Sequence, residues 1–283
     1  MSVVMDTTHP LLEISKVSKV FRRGGIFSRD RITAVGDVSL TLPAKPSICA
    51  VVGESGSGKT TLARMVLRLV EPTAGRISLE GRNVSGGDMP RLPDLDFRRL
   101  VQPIFQNPFE AYSIHLPVDF YLTRTAINLG QALDEESARP LVDEALRSVG
   151  LALERVRGKY VQQFSGGELQ RIAIARAMIP KPRLIVADEP VSMVDASLRM
   201  TIVNLFHEIR QAHGISFVYI THDLSTAYYV ADQIVIMSQG RIVERGEPER
   251  LMSAPEHSYT QSLMDAMPQI SIRWPELASP ESP

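Results

Sequence analysis

The chain has 283 residues, 44% hydrophobic and 22% charged, with a formal net charge of −1. That is globular composition with room for one large domain, or a large domain and a satellite, and near-neutrality gives no support for a nucleic-acid surface. No run of about 18 apolar residues is present, which argues against a transmembrane helix, and the lone Cys49 allows no internal disulfide. Met1 to Pro10 carries acidic and polar residues where a signal peptide needs a basic start and an apolar stretch, so a reducing cytoplasm is the expected compartment.

Leu11 to Phe21 (LLEISKVSKVF) suits a strand, Arg22 to Arg31 a basic, glycine-containing loop with a solvated face, and Thr33 to Leu42 a second strand. Ser47–Val52 is an apolar run of strand length. After Gly58, Leu62, Met65, Val66 and Leu69 share one helical face, and Glu71-Pro72 ends the run. Val101–Gln106 follows. Between Phe109 and Phe164 no strand pattern is visible, so a mostly helical insertion is expected there. Within it, from Pro140, Leu141, Ala145, Leu146 and Val149 mark a helix stopped by Gly150. After Gly167 a further helical pattern runs to Pro180. Leu184–Ala187, Ser216–Ile220 and Ile234–Met237 join Ser47–Val52 as expected buried parallel strands. The last leads through Ser238-Gln239-Gly240-Arg241 into a terminal hairpin. Beyond Gly246 the chain is proline-rich and is expected to wrap the surface.

Gly53, Glu54, Ser55, Gly56, Ser57, Gly58, Lys59 and Thr60 fit G-x-x-x-x-G-K-[ST], placed after an apolar strand and before an amphipathic helix. The glycines let backbone N–H groups turn toward phosphate oxygens, and the helix N-terminus adds a favourable dipole. Lys59 is expected to hold the β- and γ-phosphates and Thr60 to place its hydroxyl on Mg2+, with Ser57 and Thr61 supporting the loop. A chance match arises in about one chain in a hundred of this length, and the strand-then-helix context makes it rarer.

A P-loop alone leaves kinases, GTPases, helicases and transporters open. Leu184 to Pro190 (LIVADEP) narrows the choice, because a buried strand delivers two carboxylates at its C-terminal end, where ligands collect in open α/β sheets. Asp188 suits the Mg2+ shell and Glu189 is placed to polarise the attacking water as general base.

Phe164-Ser165-Gly166-Gly167-Glu168-Leu169-Gln170-Arg171 resembles the signature of ABC ATPases, and with the preceding motifs in this order the resemblance covers essentially the whole chain. It implies an α/β fold of the P-loop NTPase type: an ABC nucleotide-binding domain with an antiparallel β subdomain, a mostly parallel core sheet and a helical insertion. By the same resemblance, residues 1–255 form the ATPase domain, with the insertion over about 108–168, and residues 256–283 a C-terminal extension. Ser165, Gly166 and Gly167 open a helix whose N-terminus suits an anion, and in the family this end faces the γ-phosphate bound by the other subunit. Phe21 resembles the aromatic that stacks on adenine, with a core residue at the strand end as the alternative reading. Gln106 matches the glutamine that contacts magnesium and the water, Asp195 the aspartate of the loop that crosses to the partner, and His222 the histidine that touches the γ-phosphate.

The segment Ala254-Pro255-Glu256-His257-Ser258-Tyr259-Thr260, with Leu263 and Pro268, looks like the C-terminal extension of importer ATPases in the oligopeptide/dipeptide/nickel group, second-ATPase type. That resemblance implies ATP hydrolysis for import of peptides or a similar solute such as oligosaccharides, at the cytoplasmic face of the inner membrane. The implied partners are two transmembrane permease subunits, a second ATPase and, indirectly, an extracytoplasmic solute-binding protein, with no nucleic acid. Two stretches depart from the group: Glu110 to Leu116 (EAYSIHL) lacks the usual S-L-N-P-like run, in the region where the family meets its membrane subunits, and Ser192-Met193-Val194-Asp195 replaces S-A-L-D. A soluble ABC ATPase acting on nucleic acid or ribosomes is the alternative. The chain has one cassette, no heptad insertion and no basic surplus, which disfavours it.

Overall fold

The computed structural model describes residues 9–22 and 31–266. Arg23 and Arg29 of the basic loop, and the extension beyond residue 266, lie outside the described residues.

Two sheets organise the described residues. The first is antiparallel, in the order β2-β1-β4-β5, and is built from β1 (Leu12–Arg22), β2 (Arg31–Leu42), β4 (Ala74–Leu79) and β5 (Arg82–Gly86). The second runs β10-β9-β3-β8-β7-β6. Its members are β3 (Ile48–Val52), β6 (Val101–Ile104), β7 (Leu184–Asp188), β8 (Ser216–Thr221), β9 (Gln233–Ser238) and β10 (Arg241–Gly246). β9, β3, β8, β7 and β6 pair in parallel, and β10 closes one edge as the antiparallel half of the terminal hairpin. β3 and β8 are buried at every residue, as continuous apolar runs require when helices or sheets cover both faces.

Alternate residues of β3 feed two cores. Ile48, Ala50 and Val52 join the core on the helical side, and Cys49 and Val51 the core beneath the antiparallel sheet. Cys49 is therefore an inert interior residue; burial raises its thiol pKa to about 12. The second core also takes Leu62, Met65 and Val66 from α1 (Lys59–Val66) and Phe97 from α2 (Asp94–Leu100).

The expected helical insertion contains α3 (Val118–Asn128), α4 (Glu135–Arg147) and α5 (Leu153–Val156), then leads into α6 (Gly166–Met178). Pro140 does not start a helix: it lies inside α4, which begins upstream at an Asp134–Ser137 capping box. The stop at Gly150 is as expected, at φ +70°. β4 and β5 were not visible in the sequence. They are short, carry Arg76, Arg82, Asn83 and Ser85, and are marked as strands by their partners β1 and each other. α7 (Ala196–His213), α8 (Leu224–Val230) and α2 also escaped the periodicity reading.

From residue 247 to residue 266 the chain expected to wrap the surface is mostly helical. It forms α9 (Pro248–Ser253) and α10 (Ser258–Asp265), and Tyr259, Leu263 and Met264 pack against the helical-side core. Among the described residues no helix is long and apolar enough to cross a membrane.

Candidate nucleotide site

The loop between β3 and α1 is shaped by close approach. A Cβ on Gly53 would lie 2.2 Å from the Met237 carbonyl oxygen, which explains why the side of the loop facing β9 starts on glycine. Gly58 takes φ +101°, and a Cβ there would meet the Ala34 carbonyl oxygen at 2.4 Å, so both space and conformation demand glycine. Ser57 is buried, its N–H donates to the Glu54 carbonyl at 3.2 Å and its carbonyl accepts from Gly240 N–H at 3.0 Å. Thr61 is half-buried in the first turn of α1, whereas Glu54, Ser55, Gly56 and Thr60 face solvent.

Lys59 is only 4% exposed, and its ammonium donates to the Gly53 carbonyl at 2.7 Å and the Glu54 carbonyl at 2.8 Å. Burial pushes its pKa below the usual lysine value, and the charges of Glu189, Asp188 and Glu54 oppose the shift. The Thr60 hydroxyl donates to Asp188 Oδ1 at 3.2 Å. Burial raises the Asp188 pKa and the Glu189 charge adds to this, while the Thr60 hydrogen bond lowers it. A dication beside these two residues would relieve that desolvation cost.

Glu189 has φ +45°, a left-handed conformation rare outside glycine. It is held there from both sides, because its N–H donates to the Ile220 carbonyl at 2.9 Å and its carbonyl accepts the Ser192 hydroxyl at 2.9 Å. Such over-determined outliers gather at functional sites. The result aims the carboxylate across the sheet ends. Gln106 Nε2 donates to Glu189 Oε2 at 3.1 Å, and His222 Nδ1 lies 3.4 Å from the same oxygen. Asp223 fixes the turn after His222 by accepting Ser225 and Thr226 N–H groups at the start of α8. The H-D pair at a helix start was a capping signal that the sequence reading left unused.

At the C-terminal ends of parallel strands Thr60 is thus paired with Asp188, and Gln106 and His222 with Glu189, while Lys59 bonds the loop itself and lies near enough for the charges of Glu189 and Asp188 to act on its pKa. Among the described residues, Phe21, Asp195 and the Ser165–Gly167 segment are not hydrogen-bonded to these groups. Phe21 stands 41% exposed on β1, with the Lys19 ammonium 5.1 Å from its ring centroid; it is no core residue. Ser165 caps α6, its Oγ accepting the Glu168 N–H at 3.2 Å while Glu168 Oε2 accepts the Ser165 N–H at 3.0 Å. Gly166 and Gly167 abut the loop carrying Asp195: Cβ atoms would lie 3.1 Å from the Met193 carbonyl oxygen and 2.9 Å from Leu198. Asp195 itself is exposed at the N-terminus of α7.

Arg155, which the sequence reading missed, donates to Glu168 Oε1 at 2.8 and 3.1 Å. The Ser165 backbone hydrogen bond, then the Arg155 bond, brings the Glu168 pKa from 4.5 to about 2. Glu168→Ala should lower the unfolding free energy by about 1 kcal/mol at neutral pH, the usual size of a lost cap. Because the folded pKa lies below the unfolded one, this contribution is complete above about pH 4.5 and is lost as pH falls toward 2. Urea midpoints of both proteins across pH 7 to 3.5 check it: a gap that does not narrow below 4.5 removes the carboxylate as its cause.

The ABC transporter family model matches residues 35–192. A probable peptide ABC transporter ATP-binding protein of Sinorhizobium fredii is 38% identical over 84% of this chain and 66% of its own length. The di/tripeptide transport ATP-binding protein DppF of Pseudomonas aeruginosa is 37% identical over 94% of this chain and 80% of its own. Among solved structures, cbiO1 of Clostridium perfringens superposes with a TM-score of 0.73 at 23% identity, covering 87% of this chain and 92% of that one. A dimeric bacterial ABC transporter cassette gives 0.70 at 25%, covering 84% and 98%. With the P-loop, the paired carboxylates and the signature helix all in place on this fold, the chain belongs to the ABC transporter family and is an ATP-binding, ATP-hydrolysing cassette.

Proposed function

We propose that this cassette powers import of peptides or a similar solute, such as oligosaccharides, working in a head-to-tail pair at the cytoplasmic face of the inner membrane. The observation that carries the reading is the convergence of Gln106, Glu189 and His222 beside Lys59, Thr60 and Asp188, in a chain whose relatives are peptide-transport ATP-binding proteins. Lys59 and the loop amides of residues 53–61 bind the phosphates, and Phe21 offers its exposed ring to the adenine. Thr60, Asp188 and Gln106 present oxygen donors suited to Mg2+, which neutralises phosphate charge when bound. Glu189 accepts the proton of the attacking water, with His222 and Gln106 orienting the γ-phosphate and the water.

The second half of each site comes from a partner cassette. Among the described residues Ser165, Gly166 and Gly167, at a helix start, have no hydrogen bond to this chain's own P-loop, and Asp195 is exposed beside them, an arrangement suited to meeting nucleotide held by the other subunit. ATP then favours closure because it binds the closed pair better than the open one, and hydrolysis releases the pair. A groove of about 460 Å³ between core and insertion, lined by Phe97, Gln102, Phe105, Tyr112, Asn128 and Arg176, adjoins Glu110 to Leu116 and suits a permease helix. Exposed Phe105, Phe109 and Ile114 beside it favour an apolar contact.

The tagged chain should co-purify from its native membrane with two permease subunits and a second ATPase. A solute-binding protein acting with that complex would then give the cargo by ligand screening. Recovery with ribosomes or nucleic acid and no membrane protein would sink the transport reading while leaving the ATPase intact.

A further inference from the structure

The C-terminal segment reaches back to the nucleotide loop. Glu244 on β10 accepts two backbone amides from it, Glu256 N–H at 2.9 Å and His257 N–H at 3.1 Å. His257 then caps α10, its Nδ1 accepting the Tyr259 N–H at 3.1 Å. With Leu263 and Met264 packed on the core, the Tyr259 ring is half-buried and its direction is set. Its hydroxyl accepts the Glu54 N–H at 2.9 Å. Glu54 is the second residue of the P-loop, and its carbonyl is already taken by Lys59 Nζ and Ser57 N–H. Both backbone polar groups of Glu54 are thus fixed, one from inside the loop and one by the C-terminal segment.

We propose that Tyr259 is a positioning residue for nucleotide binding: its hydroxyl pre-orders the first turn of the P-loop. The inference rests on the ATP site described above. Close approach holds the loop at Gly53 and Gly58, but at Gly56 between them, at φ +83° with open space around its Cβ position, packing does not enforce the turn. Ordering such a chain on binding costs conformational entropy, and a loop held beforehand loses less of it. The contact also couples the two regions in both directions. Anything that displaces α10 weakens ATP binding, and bound ATP stabilises the docking of α10 to the same degree.

Tyr259→Phe in the full chain removes the hydroxyl and keeps the packed ring. The expected result is a Kd for Mg-ATP raised about 2- to 10-fold, the effect of one net hydrogen bond. Turnover at saturating ATP should change less than twofold, and the nucleotide-free Tm by no more than about 4 °C. Hydrogen exchange supplies the readout that a merely structural role would not move. In the wild type, ATP should slow exchange of the amides of residues 257–266, and in the variant that slowing should shrink. Glu244→Gln, which weakens the anchor without touching the loop, should raise the Kd in the same direction by a smaller factor. An unchanged Kd, or a tighter one, overturns the proposal, as does a fall in Tm alone. A wild-type chain that bound no Mg-ATP would overturn the site and the proposal together.

Discussion

Glu189→Gln should bind ATP within about twofold of the wild type and hydrolyse it about 100- to 10,000-fold more slowly, the range expected when a general base is removed. The substitution keeps the shape of the side chain. The glutamine carbonyl oxygen can still accept from Gln106 Nε2, which lies 3.1 Å from Glu189 Oε2, and the backbone bonds of residue 189 to Ile220 and Ser192 do not involve its side chain. What disappears is a negative charge and a proton acceptor. Losing the charge relieves Asp188, whose pKa Glu189 helps to raise, so the residues proposed to hold Mg2+ are not weakened. It also removes one of the charges that support protonated Lys59, though Asp188 and Glu54 remain. Binding isotherms and single-turnover hydrolysis on the same preparation separate the two effects. Near-normal turnover would remove Glu189 from the role of base, whatever happened to affinity.

Lys59→Ala should raise the Kd for ATP by about 100-fold or more, as expected when one partner of a desolvated charge pair is deleted. The lysine is nearly inaccessible to solvent and sits against the carbonyls of Gly53 and Glu54. Its removal has opposing effects on the free protein. Two backbone carbonyls lose a charged donor, which costs stability, while the desolvation that pushes the lysine pKa down is also relieved. The nucleotide-free Tm should therefore move little compared with the ligand response. ATP at 100 times the wild-type Kd stabilises the wild type by about 2.7 kcal/mol and a variant with a 100-fold weaker Kd by about 0.4 kcal/mol. Thermal shifts with and without Mg-ATP check this directly. A variant with the full wild-type shift would place Lys59 outside the phosphate site.

The fold class was legible because the strands of the parallel sheet are buried on both faces. ICAVV in β3 and SFVYIT in β8 leave little choice of structure once helices flank them. β4 and β5 gave no comparable signal, since their polar residues are compatible with a loop until β1 supplies hydrogen-bond partners. α7 did carry a signal: Ile202, Val203, Phe206 and Ile209 are buried on one face, with Phe206 packed 5.0 Å from Phe217. Pro140 misled in the opposite way: it lies inside α4, whose start is set upstream by the Asp134–Ser137 capping box.

The site divides along the same line. The sequence by itself determined the contiguous parts: the glycine-lysine loop, the Asp188–Glu189 pair and the capped signature helix are local patterns whose spacing states their geometry. The meeting of Gln106, Glu189 and His222 was decided by tertiary structure, because it depends on β6, β7 and β8 lying side by side in parallel. In that register Ile104 pairs with Ala187 and Asp188 with Ile220, so the residues just beyond three distant strands end at one edge. The contact of Tyr259 with Glu54 was likewise set only by folding. A single hydrogen bond between residues 205 apart leaves no trace in local composition, and it exists because α10 docks on a core assembled from the whole chain.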